Sequence, residues 1–148
     1  MLTYEQHQQF YELGYIVLRQ VVPSHMIDNA LRSINHSLGE EGLNKEDLPR
    51  LRQQSYCSEI RECQRIIDLC NETAVYSSVE SMMGKGNVEK VTNGQIALRF
   101  PIAPQIKEAQ LSGHLDGLGT GLNGSSKGAY GRKFTALAVF LLSKLETG

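Results

Sequence analysis

A surplus of charge of either sign is missing from this sequence: 15 lysines and arginines stand against 16 aspartates and glutamates, a formal net charge of -1. That balance removes the electrostatic footprint needed for a phosphate backbone or an anionic bilayer surface, so nucleic acid and charged membranes are not expected partners. No apolar run approaches bilayer-spanning length, and the Met-Leu-Thr-Tyr-Glu-Gln-His start has neither the basic flank nor the apolar stretch of a secretory leader. The expectation is a chain without a membrane span and with a cytoplasmic address.

Cysteine is scarce and spaced for neither of its usual tasks. Cys57, Cys63 and Cys70 are separated by five and six residues, an odd number that fits no CxxC zinc pattern and no disulfide framework. Reduced thiols acting as small buried hydrophobes are the expectation, with Cys63 and Cys70 seven apart on one side of a helix. A P-loop and a nucleophile elbow are missing too. The glycines after residue 117 do not have the P-loop spacing, and Ser125 and Ser126 sit in no nucleophile elbow.

What is present suffices for one domain. With 148 residues and 41% hydrophobic content the chain can bury a core, so residues 1–148 are read as a single unit, 1–86 mostly helical and 87–148 strand-bearing. Thr3 predicts the start of a helix over residues 4–13, with Gln6 as its capping-box partner and Gly14 as its stop. Tyr15-Ile16-Val17-Leu18 is strand-like. Ser24 is the expected N-cap of a second helix, in which Met26, Ile27, Ala30, Leu31, Ile34 and Leu38 recur at helical spacing before Gly39 closes it.

Residues 39–57 are charged and aperiodic and read as a loop. Two more helices are expected over 58–70 and 73–83, the first with Ile60, Cys63, Ile67 and Cys70 on one stripe, the second stopped by Met83-Gly84-Lys85-Gly86. The period then changes. Val88–Val91 is a short strand candidate, and Gln95–Phe100 alternates, with Ile96, Leu98 and Phe100 on one face and Gln95, Ala97 and Arg99 on the other. Gly113–Gly131 holds seven glycines in nineteen residues, which suits either a lid over a ligand or a plain connection. The apolar run Phe134–Leu142 suits a strand buried on both faces, with a buried helix as the rival reading.

The chemistry concentrates at Gly113-His114-Leu115-Asp116-Gly117. In an extended segment His114 and Asp116 point the same way, one imidazole and one carboxylate converging as two members of a 2-His-1-carboxylate Fe(II) site. His7, His25 and His36 lie far upstream in helical segments, and no histidine follows Asp116. Arg99, with Gln95 on the same strand face, either lines a cavity that takes an acidic co-substrate or faces solvent at a sheet edge.

Taken in order, the Phe10-Tyr11-Glu12-Leu13-Gly14-Tyr15-Ile16-Val17-Leu18 opening, the amphipathic helix, the strand ending in Arg99-Phe100-Pro101, the His114-Leu115-Asp116 motif and the apolar run leading to Glu146-Thr147-Gly148 resemble the phytanoyl-CoA dioxygenase family along essentially the whole chain. The resemblance implies an α+β fold: a double-stranded β-helix, or cupin-like jelly-roll, with flanking N-terminal helices and a barrel incomplete at the C-terminus. It implies Fe(II) held by His114 and Asp116, 2-oxoglutarate as co-substrate, and hydroxylation of a small molecule at an unactivated carbon. The family's distal histidine and 2-oxoglutarate-binding arginine fall beyond residue 148, so these 148 residues are expected to be inactive, with self-association through uncovered strand edges. The competing expectation is a non-catalytic shortened or degenerate jelly-roll that binds a small acid or a protein partner.

Overall fold

The computed structural model describes residues 1–42, 56–98, 127 and 136–143. Two compact units divide the chain, Met1–Arg99 together with Ala138–Gly148, and Phe100–Leu137. In the second unit Lys127, Ala136 and Leu137 are the described residues.

Helix α1 spans Tyr4–Leu13 and begins as its sequence predicts. The Gln6 N–H donates to Thr3 Oγ1 at 3.3 Å and the Thr3 N–H donates to Gln6 Oε1 at 2.9 Å, which satisfies two donors that the first helical turn would otherwise leave open. Gly14 ends it with φ 76°, donating to the Phe10 carbonyl, a backbone shape that glycine adopts without steric cost. No residue of α1 is buried, and its His7 Nε2 lies 3.0 Å from Ser81 Oγ.

Helix α2 spans Ser24–Glu41. Ser24 is its first residue rather than its cap. The carbonyl of Pro23 accepts from Met26 and Ile27, so the extended proline takes the cap position and its fixed φ carries the chain into the turn. Gly39 does not close the helix, which runs on to Gly42, whose N–H donates to the Leu38 carbonyl at 3.1 Å. The expected stripe supplies buried Ala30 and Ile34, but Ser33 and Ser37 are buried beside them. Ser33 Oγ donates to the Asn29 carbonyl and accepts from Arg65, while Ser37 Oγ donates to the Glu59 carboxylate. These polar contacts set the register of α2 against the segment that follows.

The single helix expected over 58–70 is broken. A 3-10 turn occupies Ser58–Ile60, Cys63 is extended, and helix α3 covers Gln64–Asn71. The break has a physical cause: the Arg61 carbonyl, which a continuous helix would offer to Arg65, instead accepts from the Gly94 N–H at 2.8 Å. The buried residues of α3 are Ile66, Leu69 and Cys70, with Cys63 and Ile67 only half-buried, so the stripe is rotated from the one expected. Helix α4 covers Ala74–Met83; Thr73 caps it through Val75 N–H and itself donates to the Leu69 carbonyl, and Gly84 ends it at φ 93°. Helix α2 packs on α3 and α3 on α4, around Ala30, Ile34, Tyr56, Cys57, Ile66, Leu69, Cys70, Val75 and Ile96.

The jelly-roll expectation is corrected here. Helix accounts for 52% of the described residues, and among them there is no strand, sheet or barrel. The reason is clearest at Val88–Gly94. Half-buried Val88, Val91 and Gly94 recur every third residue, with Glu89, Lys90, Thr92 and Asn93 exposed between them. A pleated strand repeats every second residue. The backbone groups that a sheet neighbour would engage are taken by the helices: Tyr76 donates to the Val88 carbonyl at 2.7 Å, and the Asn71 amide donates to the Val91 carbonyl and accepts the Val91 N–H at 2.8 and 2.9 Å.

Tyr15–Leu18 likewise forms no strand; Tyr15 and Val17 are exposed while Ile16 and Leu18 are half-buried. The run expected to be buried on both faces also differs. Among its described residues, 136–142, Leu137, Val139 and Leu141 are 70%, 73% and 62% exposed. Among the described residues no helix is long and apolar enough to cross a membrane.

Candidate functional site

Of the four residues assigned to the site from sequence, Gln95 is described; Arg99, His114 and Asp116 lie outside the described residues, as does most of the glycine-rich stretch 113–131. Gln95 is exposed and stands between half-buried Gly94 and buried Ile96. The expected alternation holds over its short described length, with Gln95 and Ala97 outward, Ile96 6% exposed and Leu98 half-buried. It holds without a sheet, because Ile96 is drawn into the helical core.

What fixes Gln95 is the residue before it. The Gly94 N–H donates to the Arg61 carbonyl at 2.8 Å, and Arg61 Nε donates back to the Gly94 carbonyl at 3.1 Å. Both backbone groups of Gly94 are therefore held by one residue of the α3 approach. A Cβ at position 94 would stand 2.7 Å from Ile66 Cγ2, so only glycine lets the segment come this close. Farther back, Lys90 Nζ donates to the Asn71 carbonyl at 2.7 Å, pairs with Glu72 at 3.3 Å and lies 4.5 Å over the Tyr76 ring. A cation at the C-terminal end of α3 also meets the negative end of the helix dipole.

Sequence reasoning missed Arg61, Asn71 and Lys90 as the groups that fasten this segment. Asn71 gave one usable signal: an amide at a helix end can imitate a peptide group toward an extended neighbour. Nothing local marks Arg61 or Lys90, whose partners are remote in sequence.

The titratable groups near the core are few. Burial pushes the Cys70 thiol above its ordinary 9.0, with Lys90 pulling partly the other way, so the thiol is protonated and poorly nucleophilic at neutral pH. The hydrogen bond from Ser37 holds the Glu59 carboxyl below its ordinary range. Cys57 and Cys70 are buried and Cys63 half-buried, all free thiols. His7 is engaged with Ser81, and His25 and His36 are exposed on α2. Among the described residues no group of three or more histidines, cysteines or acidic residues is placed to hold a metal. No family model, no curated protein and no solved structure matches the chain.

Proposed function

We propose that this chain carries the proximal ligands and supporting helices of an Fe(II)- and 2-oxoglutarate-dependent dioxygenase of phytanoyl-CoA type. The observation that carries the reading is the His114-Leu115-Asp116 sequence, set after the Gln95–Arg99 alternation and inside a glycine-rich stretch. An imidazole nitrogen and a carboxylate oxygen are the donor types of a facial Fe(II) site, so the donor chemistry fits this metal. His114 and Asp116 would hold it. Iron there supplies, with 2-oxoglutarate and O2, the oxidising power to hydroxylate an unactivated carbon, releasing succinate and CO2.

The chain's own residues divide the remaining work. Gln95 and Arg99 meet carboxylate oxygens of the acidic co-substrate, the arginine by charge and the amide by hydrogen bonding. Asn71 of α3, Tyr76 of α4 and Arg61 of the turn before α3 support the segment that bears Gln95.

Anaerobic titration with Fe(II) or Mn(II), with and without 2-oxoglutarate, tests the reading on the full chain and on His114→Ala. The expected result is binding by the parent chain that strengthens with 2-oxoglutarate and falls at least about tenfold in His114→Ala, as for loss of a direct ligand. Equal binding by both proteins removes His114 from the site and with it the dioxygenase reading.

A further inference from the structure

Asn93-Gly94 is a pair with chemistry of its own. With no Cβ on the glycine to hinder it, the Gly94 peptide nitrogen can close on the Asn93 side-chain amide more readily than the nitrogen of a residue that bears a side chain. No cofactor is needed. The Gly94 N–H gives up its proton, the nitrogen attacks Asn93 Cγ, and the side-chain nitrogen leaves with that proton as ammonia, which yields a cyclic succinimide. Water then opens the ring at either carbonyl, leaving aspartate or isoaspartate at position 93.

The two reacting groups stand in different surroundings. Asn93 is exposed, so its amide is open to solvent. The nucleophile is held back. The Gly94 N–H is donated to the Arg61 carbonyl at 2.8 Å, and Arg61 Nε fixes the Gly94 carbonyl at 3.1 Å. Upstream, Val91 has its N–H and carbonyl paired with Asn71, and downstream Ile96 is buried in the core. A proton engaged in a main-chain hydrogen bond is harder to remove, and a glycine tied through both backbone groups resists the displacement that ring closure requires.

We propose that Asn93 is a site of spontaneous deamidation gated by the Arg61–Gly94 contact, which withholds the nucleophile while it is made and releases it when the segment opens. The isoaspartate product makes the gate one-way. It routes the main chain through the side-chain carbons, which lengthens the link between positions 93 and 94 by a single methylene. Gly94 lies so close to Ile66 that a Cβ there would stand 2.7 Å from Ile66 Cγ2, so a lengthened chain has no slack to take up at that point and the contact with Arg61 does not re-form. This chemistry is independent of any metal or co-substrate.

Peptide mapping by mass spectrometry, on the full chain aged in heavy-oxygen water at neutral pH, follows conversion at Asn93 and separates it from the second Asn-Gly pair, Asn123-Gly124. Asn93 should convert at least about tenfold more slowly in the folded chain than in concentrated urea, where the segment is open. Arg61→Ala removes a charge-assisted hydrogen bond and should speed conversion about tenfold while the amides of α2 keep their exchange rates. Equal rates in the folded chain and in urea, or an unchanged rate in Arg61→Ala, overturn the gate.

Where Arg61→Ala loosens α2 as well, the parent chain decides. In urea below the unfolding transition, Gly94 amide exchange and Asn93 conversion should rise in the same proportion, and conversion that stays constant while Gly94 exchange rises contradicts the proposal. The one-way step has a separate readout. Asn93→Asp leaves the main chain unaltered and should keep slow exchange at Gly94, whereas the isoaspartate fraction of aged protein should exchange there at least about tenfold faster. Slow Gly94 exchange in that fraction would show that the product does not hold the contact open.

Discussion

Gly39 is exposed and Gly94 is half-buried, and the structure assigns the two glycines opposite roles. Gly39 lies inside α2 with open space where a Cβ would stand, so its flexibility only adds to the entropy lost on folding. Gly39→Ala should raise stability by about 0.5–1 kcal/mol in urea unfolding, and a loss would show that the helix does not continue through this position. Gly94→Ala should lower it by about 1–3 kcal/mol, because the new methyl meets Ile66 in a site that cannot widen freely. Glu59 adds a dependence on pH. Its folded pKa is depressed by the hydrogen bond from Ser37, so the stability it contributes is present above its ordinary 4.5 and is lost as pH falls through the lower folded value. Stability measured by denaturation should fall on acidification below that point, and Ser37→Ala should flatten this part of the profile. An unaltered acid limb in Ser37→Ala would contradict the pairing. Residue-scale features were legible only where they are local: Thr3 and Gln6 are three apart and announce their cap, whereas Ser37 and Glu59 are 22 apart and Arg61 and Gly94 are 33 apart.

The same division governs the elements. Helix α1 begins and ends where Thr3 and Gly14 predict, and α4 ends at Gly84 as expected but begins one residue late, after its cap Thr73, since a cap is a contact within one turn. Helix α3 was misplaced because its start is decided by a tertiary event, the capture of the Arg61 carbonyl by Gly94. Val88–Val91 looked like a strand for its β-branched ends, but β-propensity describes fit to a half-buried surface and not to a sheet in particular. Here that surface is made by α3 and α4, and Asn71 plays the part of the missing neighbour. Asn71→Ala should leave the Val91 N–H and carbonyl unpaired and cost about 1–3 kcal/mol, with faster exchange of the Val91 amide. Asn71→Asp keeps the acceptor for that amide and should preserve much of its protection. Equal protection of Val91 in Asn71→Ala and the parent chain would show that the amide pair does not hold the segment.

For the whole molecule, composition predicts a chain able to bury a core, and the described helices form one. The sheet implied by the family resemblance is replaced, among the described residues, by helices with extended segments laid on them. The proposed chemistry stays with the order of residues in the sequence, with His114 and Asp116 as the proposed metal donors. The most direct measurement is nuclear magnetic resonance of the labelled full chain under anaerobic addition of sub-stoichiometric Mn(II), whose paramagnetism erases signals nearest the bound ion. The account predicts that the resonances of His114, Leu115 and Asp116 are the first to vanish and that they survive when His114→Ala receives the same metal. Signals lost first around His7, His25 or His36, or identical losses in the variant, would contradict it.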